Sequence, residues 1–556
     1  MFSISSYFNR FNCPGFLLFF LCTGIAPVLQ SQPVKMKITK QYLNIPVGKE
    51  ARNKPVSINV DGQTKREFTV KLAEDTVDFW IYVDVSEFKG KKITLVCPAS
   101  ATSLGRIYQD DMIAGQDSLY REAYRPQFHF TVKRGWSNDI NGPVFYNGVY
   151  HLFWQAYTFD VNINIDYMYW GHATSKDMLH WTEQPAALML DSLGSPWSGT
   201  AVIDKNNVSG FGKDAMVLYY TAFDRWSGKQ VQCIAYSTDG GKTFQRYAGN
   251  PIIDSNREMD SDDTRDPKVF WYEPAKVWVM VLFEIDGMSF FNSTDMKTWK
   301  RQGHFKGLHE CPDMFELPVD GKEANKKWVL HGGSSEYFIG SFDGKNFTPE
   351  SEKLNYAEGR SRHGNDLLYA AESFENMPGG RRVQIAWGRV EHQGMPFSQM
   401  MLFPTSFSLI TTDKGIRLTA TPIAEVEQLH GTAHRWKSLS VNEANQHLKA
   451  IPPVPMHVKM NVTVQPGKEL RLLYQGYEIL HLTASELAAG TNSIEILIDK
   501  TVAEVFVNKG RRYITTNFKD EMKTDGLVFE SAQYGPEIQS LEVYEMKSMW
   551  DKPLMP

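Results

Sequence analysis

The sequence has few cysteines. There are five among 556 residues, and three of them, Cys97, Cys233 and Cys311, lie beyond the first 32 residues. Because three thiols cannot all pair, disulfides are not expected to carry the fold. Long basic runs are also missing: Lys plus Arg number 59 against 64 for Asp plus Glu, which argues against a nucleic acid partner. Phosphate-binding loops, zinc signatures and Ser-His-Asp sets are not evident, so we expect neither a cofactor nor a metal.

A hydrophobic run of about 20 residues, long enough to span a bilayer, is absent as well. The apolar stretch at residues 16–29 is shorter, follows the single basic residue Arg10 and precedes a polar segment at residues 30–32. This layout is typical of a secretory signal peptide. We therefore expect residues 1–32 to be a signal peptide and the mature chain to be exported, to a periplasmic or extracellular location. Lipoprotein anchoring at Cys22 is the less favoured alternative, because large residues precede it.

Short alternating runs between Gly, Asn, Asp and Pro turns dominate the rest of the chain and indicate a mainly β protein. One pattern repeats in the middle: a strand, a Ser/Asp turn and an aromatic residue that opens the next strand. The aspartates of its four copies are Asp177, Asp239, Asp295 and Asp343. Their spacing of about 50 to 60 residues leaves room for four strands in each unit. The repeat predicts a β-propeller of about five blades, the fifth including residues 382–387.

The predicted fold class is therefore all-β, with four parts after the signal peptide. Residues 33–118 form a small N-terminal β-sandwich-like module, and residues 119–410 form the five-bladed propeller. Residues 411–454 form a linker, with a short polar helix, and the start of the C-terminal module. Residues 455–556 form a C-terminal β-sandwich.

Three carboxylates occupy the same place in the repeat. Asp139, Asp266 and Glu310 each precede the aspartate turn of their own blade by about 30 to 40 residues, and Ser198 occupies the matching place in the remaining blade. If the first strand of each blade is innermost, these residues converge at one mouth of the central channel. Such a set suits glycoside hydrolysis, in which one carboxylate attacks or activates water and another protonates the leaving oxygen. An isolated aspartate is more often a turn or cap residue, but the shared phase favours catalysis.

The segments around these carboxylates form a series of motifs, at residues 125–142, 150–155, 170–181, 265–270, 310–317, 387–389 and 394–404. In their order and spacing they resemble the signature of glycoside hydrolase family 32, the invertase, inulinase and levanase family. The resemblance runs from about residue 125 to residue 548. It implies a five-bladed propeller followed by a β-sandwich, in agreement with the repeat. The N-terminal module is similar to extra β-domains that precede some bacterial members of the family.

The resemblance also implies roles for individual residues. Asp139 would be the nucleophile that attacks the anomeric carbon of a β-fructofuranosyl unit, Glu310 the general acid/base and Asp266 the stabiliser of the transition state. Retention of configuration follows, with the two reacting carboxyls about 5 to 5.5 Å apart. We further expect Asp139 and Asp266 to raise the pKa of Glu310, so that it is protonated near neutral pH. The substrate-binding residues implied are Asn138, Gln155, Trp197, Ser198, Arg265 and Trp387, and the leading aromatic candidates for sugar contact are Trp136, Trp197 and Trp387.

The chain departs from the family pattern in two places. Ile140 stands where proline is usual, and residues 156–169 form a longer loop with Ile165 at the position of a tryptophan. An aromatic wall of the pocket is therefore missing or is supplied by another residue of this loop, Tyr157, Phe159 or Tyr167. The acidic residues 260–263 could suggest a calcium site, but their spacing does not match an EF-hand loop, so a solvated acidic loop is favoured.

Three functions are compatible with these observations. The first is a hydrolase acting on levan, inulin, fructo-oligosaccharides or sucrose, with exo-action and fructose release expected. The second is a fructan-binding protein on a degenerate hydrolase scaffold; the altered loop favours it and the retained carboxylates oppose it. The third is a fructosyltransferase. The sequence leaves open the preference for β-2,6 or β-2,1 bonds, the choice between exo and endo action, the role of the N-terminal module and the oligomeric state.

Overall fold

The computed structural model describes residues 33–254, 263–466, 468–487, 490–518, 526–530 and 536–550. The expected signal peptide and most of the acidic segment at residues 260–263 therefore lie outside the described residues. Within those ranges, none of the helices has the length and apolar character needed to cross a membrane. The described chain is almost entirely β-structure, as predicted.

The centre of the chain forms five antiparallel units of four strands each, which we number blades I to V in chain order; one parallel pair, Val319 with Leu409, joins blades IV and V. The first strand of each blade is the inner strand, because the first strands of blades II and III, of blades IV and V, and of blades V and I contact one another. Blade I consists of Gly135–Ile140, Val149–Tyr157, Tyr169–Ser175 and Thr182–Glu183, and blade II of Ser195–Asp204, Ala215–Phe223, Gln230–Ser237 and Gln245–Arg246. Blade III consists of Thr264–Tyr272, Val277–Glu284, Gly287–Ser293 and Lys300–Lys306. Blade IV consists of Asp313–Val319, Lys322–His331, Glu336–Phe342 and Phe347–Pro349, and blade V of Leu368–Ser373, Val383–Gly388, Thr405–Thr412 and Gly415–Pro422.

The repeated aspartates lie between the third and fourth strands of blades I to IV and hold the turn there. The carboxylate of Asp177 accepts hydrogen bonds from the backbone nitrogens of Leu179 and His180 at 3.0 and 2.8 Å. The other three aspartates accept corresponding bonds from the backbone two to four residues later. The prediction of repeated four-stranded units is confirmed, and these aspartates are turn residues far from the axis.

Short strands complete the ring and its margins; they are Val144–Tyr146, Ile253–Asp254, Leu354–Asn355, Phe397–Ser398 and Met400–Met401. Phe397–Ser398 closes the ring, because it pairs in parallel with the inner strand of blade I, and the Gly135 nitrogen donates to the Pro396 oxygen at 2.8 Å. Among the described residues, the short helices are Ser86–Phe88, Ala101–Leu104, Gln116–Ser118, Ile165–Tyr167, Glu273–Ala275, Pro378–Gly380, Ala424–Leu429 and Ala484–Glu486.

The N-terminal module consists of two sheets, as predicted. The strands of the first are Val34–Lys37, Lys92–Val96, Lys54–Val60 and Gln63–Val70, and those of the second are Phe79–Asp84, Tyr42–Val47 and Tyr108–Asp110. Alternating buried residues of these strands form a core that is continuous with the core of blade I and blade V. The module is therefore packed on the propeller over an apolar surface.

The C-terminal module is a sandwich of a seven-stranded and a three-stranded sheet. The larger sheet contains Ala357–Glu358, Arg512–Asn517, Val502–Val507, Thr491–Ile498, Met456–Thr463, Glu537–Met546 and His430–Leu439; the smaller contains Tyr477–Thr483, Glu469–Tyr474 and Leu527–Glu530. The predicted polar helix is Val441–Lys449, and it begins with a capping box formed by Ser440 and Glu443. Residues 411–454, expected as a linker, thus divide between blade V and this module.

A buried histidine joins the propeller to the sandwich. His129 precedes blade I, and its Nδ1 and Nε2 lie 2.9 Å from Asp499 Oδ2 and 3.0 Å from Glu504 Oε1. All three side chains are fully buried. Burial disfavours the charged imidazole, but hydrogen bonds to the two carboxylates outweigh burial and raise the pKa of His129 to about 9. His129 is therefore a charged link between the two modules at neutral pH.

Candidate active site

The predicted site residues lie where the inner strands of the blades are irregular. In blades I, II and III the pairing of the inner strand with its neighbour shifts register at Asp139, Ser198 and Asp266. A β-bulge of this kind re-aims a side chain that regular alternation would point elsewhere. Asp266 and Glu310 also have positive φ values, of 63° and 48°, which is uncommon for residues with a Cβ. The backbone is thus adapted locally to bring these groups toward the axis.

Both carboxylate oxygens of Asp139 are held by neighbouring side chains. Asn138 Nδ2 donates to Oδ1 at 3.1 Å, and Ser198 Oγ of blade II donates to Oδ2 at 2.8 Å. Trp136 Nε1 in turn donates to Asn138 Oδ1 at 2.9 Å and so fixes the amide. The carboxylate therefore has one orientation in the pocket, as a nucleophile requires.

Asp266 and Asp139 are linked through Cys311. The Cys311 backbone nitrogen donates to Asp266 Oδ2 at 3.0 Å, and its Sγ lies 3.6 Å from Asp266 Oδ2 and 3.7 Å from Asp139 Oδ2. Burial, followed by the charges of Asp266 and Asp139, raises the pKa of the Cys311 thiol well above its ordinary value. Cys311 thus stays a neutral thiol between the two carboxyls. Like Cys97 and Cys233 it is buried and free.

Glu310 accepts hydrogen bonds on both oxygens. Arg265 donates to Oε1 at 2.7 Å and the Tyr369 hydroxyl donates to Oε2 at 2.5 Å, while His309 Nδ1 lies 3.5 Å from Oε2. Arg265 also pairs with Asp263, and its Nε lies 3.8 Å from Asp266 Oδ2. The Arg265 guanidinium therefore binds Glu310 more closely than it binds Asp266.

The protonation pattern differs from the prediction. Burial alone would raise the pKa of Glu310, but the hydrogen bond with His309 and the charge of Arg265 outweigh it and hold that pKa below its usual range. Burial raises the pKa of Asp266 to about 7 against the opposing charge of Arg265, and it also raises the pKa of Asp139. The prediction that Glu310 is protonated near neutral pH is therefore wrong. It overlooked the direct contacts of Glu310 with His309, Arg265 and Tyr369.

A pocket of about 400 Å³ contains the three carboxylates. All six residues predicted to bind substrate line it as well: Asn138, Gln155, Trp197, Ser198, Arg265 and Trp387. Trp136 packs behind them, with its ring centroid 6.2 Å from that of Trp387, and is not part of the lining. The structure thus brings together every predicted site residue. The described residues contain no group of three or more His, Cys, Asp or Glu side chains that could hold a metal ion.

Tyr369 and Arg389 are among the pocket residues that were not predicted. Tyr369 lies on the inner strand of blade V, and the Arg389 guanidinium lies 3.7 Å from the centre of its ring and 4.6 Å from that of Trp387. The repeat does not identify Tyr369, because blade V lacks the aspartate turn that fixes the phase in the other blades. Arg389 stands within the 387–389 motif and was available to sequence reasoning.

The wall opposite these aromatics is aliphatic. Ile163 and Ile165 line the pocket and are 47% and 48% exposed, so they present apolar surface at its rim. Of the two alternatives expected for the aromatic wall, its absence agrees with the structure, because none of Tyr157, Phe159 and Tyr167 lines the pocket. Tyr157 and Phe159 are buried against the N-terminal module, and both rings contact residues of that module.

Comparison with known proteins identifies the class. The model of the glycosyl hydrolases family 32 N-terminal domain matches residues 129–422, and that of the family 32 C terminal matches residues 459–545. Residues 31–128 match a domain of unknown function (DUF4980). The chain belongs to glycosyl hydrolase family 32 and is a glycosidase, as the resemblance implied.

Individual relatives support this placement. The chain is 34% identical over 501 residues to a levanase of Bacillus subtilis (strain 168), covering 79% of this chain and 72% of the relative. It is 29% identical over 610 residues to a levanase of Bacillus sp. (strain L7), covering 95% of this chain and 63% of the relative. The crystal structure of exo-inulinase from Aspergillus awamori superposes with a TM-score of 0.67 at 25% identity, covering 78% of this chain and 100% of that chain.

Proposed function

We propose that the protein is a retaining β-fructofuranosidase that hydrolyses fructans or fructo-oligosaccharides and releases fructose. The observation that carries the proposal is the convergence of Asp139, Asp266 and Glu310 from three blades in one pocket. Paired carboxylates are the groups that glycoside hydrolysis requires. The levanase and exo-inulinase relatives act on fructans by their names, and this chain shares their family.

In the proposed mechanism Asp139 attacks the anomeric carbon of the fructosyl unit, held in line by Asn138 and Ser198. The glycosidic bond breaks as Glu310 gives its proton to the leaving oxygen, which yields a covalent fructosyl enzyme. Glu310 then takes a proton from a water molecule as the water oxygen attacks the anomeric carbon; the bond from that carbon to Asp139 breaks, and fructose is released. Asp266 binds ring hydroxyls and stabilises the positive charge that develops in both transition states.

Glu310 must gain a proton before it can act as the acid. His309, Arg265 and Tyr369 favour the ionised form of Glu310, whereas burial raises the pKa of Asp266 to about 7. Substrate entry removes water from the pocket and brings the glycosidic oxygen to Glu310, and both changes favour the neutral carboxyl.

The shape of the pocket favours attack at a chain end. Residues from all five blades surround it, including Asp139, Ser198, Asp266, Glu310 and Tyr369. Further along the inner strands, Lys268 and Asp313 are fully buried and form an ion pair at 3.1 Å, so this part of the propeller is closed to solvent. A pocket that is walled on every side and blocked below accepts the end of a polysaccharide more readily than its middle, which supports exo-action.

The experiment that tests the proposal is the substitution Asp139→Asn. Fructose release from levan, inulin and sucrose should fall by roughly 10³-fold or more, because the nucleophile is lost while the fold is kept. Asp343→Asn, the same change in the exposed turn of blade IV, is the matched control and should keep full activity. Fructan binding by the unaltered protein without any product would support a binding function instead. Fructosylated products at high sucrose would indicate a transferase, and oligomer ladders would indicate endo-action.

Export is part of the same proposal and rests on the layout of residues 1–32. Expression with the complete N-terminus in a bacterial host, followed by fractionation, should place the enzyme outside the cytoplasm. The N-terminal sequence of the exported protein should begin near residue 33. An uncleaved chain retained in the cytoplasm would contradict this part of the proposal.

A further inference from the structure

The aliphatic wall of the pocket belongs to a loop with two neighbours. We call residues 158–168 the wall loop; it connects the second and third strands of blade I and contributes Ile163, Ile165 and Met168 to the pocket. On the propeller side, Trp197 Nε1 donates to the Ile165 oxygen at 3.0 Å, and Ser195 Oγ donates to the Asp166 oxygen at 2.6 Å. Blade II therefore fixes only the part of the loop nearest to the pocket.

The other side of the wall loop lies on the N-terminal module. Thr69, on strand Gln63–Val70, is the centre of this contact. Its backbone oxygen accepts from the Tyr157 hydroxyl at 2.7 Å, its backbone nitrogen donates to the same hydroxyl at 3.1 Å, and its Oγ1 accepts from Asn164 Nδ2 at 3.0 Å. Asn164 stands between the two isoleucines of the wall. Thr69 of the module is thus hydrogen-bonded to Asn164, the residue between Ile163 and Ile165.

The residues on either side of Thr69 extend the contact. Phe68 stacks on Phe159 with ring centroids 4.1 Å apart and an interplanar angle of 16°. Lys71 Nζ lies 3.4 Å from the carboxylate of Asp160, and both of the stacked rings are buried. Strand Gln63–Val70 and Lys71 directly after it thus contact the wall loop through apolar stacking, an ion pair and hydrogen bonds.

A second link passes through Arg225 of the loop after the second strand of blade II. Arg225 donates to Glu67 Oε2 at 3.0 Å, and its guanidinium lies 4.6 Å from the centre of the Tyr167 ring. Tyr167 follows directly after Ile165 and Asp166 in the wall loop. The module therefore contacts the loop directly and also through an arginine that packs on it.

We propose that the N-terminal module is a positioning element of the active site: through Thr69 it holds the wall loop so that Ile163 and Ile165 bind the part of the substrate beyond the fructosyl unit. This inference rests on the proposed fructan-hydrolysing function. Two exposed isoleucines at a pocket rim offer apolar surface to the less polar face of a neighbouring sugar, and they are useful only if their backbone is fixed. Thr69 does not line the pocket and is not a catalytic residue.

The test is the substitution Thr69→Val, which keeps the shape of the side chain and removes the nearer acceptor of Asn164 Nδ2, together with the contact of Thr69 Oγ1 with the Tyr157 hydroxyl at 2.7 Å. We expect KM for fructo-oligosaccharides of three to six units to rise about three- to tenfold, with kcat changed less than about twofold, because the carboxylates are untouched. Asn164→Ala should have the same effect from the loop side. Thr64→Val is the matched control: it is the same change on the same strand, where Thr64 Oγ1 donates to Asn59 at 2.7 Å, away from the loop.

The outcomes separate this inference from a purely structural role of the module. A structural role would lower the melting temperature or the fraction of active enzyme, and so kcat, while KM stays unchanged. Unchanged KM in both Thr69→Val and Asn164→Ala would overturn the inference. If the unaltered protein releases no fructose, the proposed function fails instead. The dissociation constant for the same oligosaccharides, measured by calorimetry, then replaces KM, and equal constants for the variant and unaltered protein overturn the inference.

Discussion

The substitution His129→Gln should remove a pH-dependent part of the stability of this protein. His129 is fully buried between Asp499 and Glu504, and its pKa is raised to about 9 from an ordinary value of 6.5. Between these two values the folded chain holds a proton that the unfolded chain has released. Stability from this group is therefore complete below pH 6.5 and is lost as the pH rises through 9.

The size of the effect follows from the shift. Each pKa unit corresponds to about 1.4 kcal/mol, so the loss between pH 6.5 and pH 9 amounts to about 3 kcal/mol of unfolding free energy. Glutamine cannot be protonated, so the variant should lack this loss. Other groups that titrate in the same window are common to both proteins and cancel in the difference between them.

Urea unfolding of the full chain between pH 6 and pH 10, followed by fluorescence, measures this difference. The stability advantage of the unaltered protein over His129→Gln should shrink steadily from pH 6.5 to pH 9. His392→Gln is the matched control, because His392 is buried beside Thr501 and its pKa is lowered to about 3. That variant should keep the alkaline loss. A difference between the unaltered protein and His129→Gln that does not vary with pH would refute the assignment of a charged His129.

Two further predictions concern the pocket and its support. Tyr369→Phe removes a hydrogen bond that stabilises ionised Glu310, so the pKa of Glu310 should rise and the alkaline limb of the kcat profile, which reports Glu310 in the substrate complex, should move to higher pH. Tyr219→Phe, which loses a comparable buried hydroxyl bond to the Met296 oxygen, should leave the limb in place, and an unmoved limb in Tyr369→Phe would contradict the role of Tyr369. Gly142→Ala should cost about 3 kcal/mol or more in thermal unfolding, because a Cβ there would lie 1.9 Å from the Ala201 nitrogen. Gly148→Ala, also at positive φ but with open space around it, should cost only about 1 kcal/mol, and equal losses would show that close packing at Gly142 is unimportant.

Much of the site could be predicted because a propeller converts position in a repeat into position in space. Asp139, Ser198 and Asp266 share a phase, and their inner strands place them at one mouth of the channel. The register shifts that orient these side chains could not be recognised from the residue types. Tyr369 escaped prediction because blade V does not carry the repeated turn.

Interactions between distant segments account for the remaining differences. The low pKa of Glu310 depends on the adjacent His309 and also on Arg265 and Tyr369, which are 45 and 59 residues away in the sequence. The burial of Tyr157 depends on Thr69, 88 residues earlier. Local patterns predict which groups meet in a pocket, but the protonation state of a group and the direction in which a ring points depend on partners that only the folded chain supplies.

The parallel pairing of Phe397–Ser398 with the inner strand of blade I has a kinetic consequence. This contact joins segments that are separated by most of the propeller, so its loop-closure entropy must be overcome late in folding. Individual blades can form from neighbouring hairpins before then. Residues from all five blades line the pocket, so the pocket is incomplete until the last blade has docked. During refolding, the return of activity should therefore lag behind the return of β-structure.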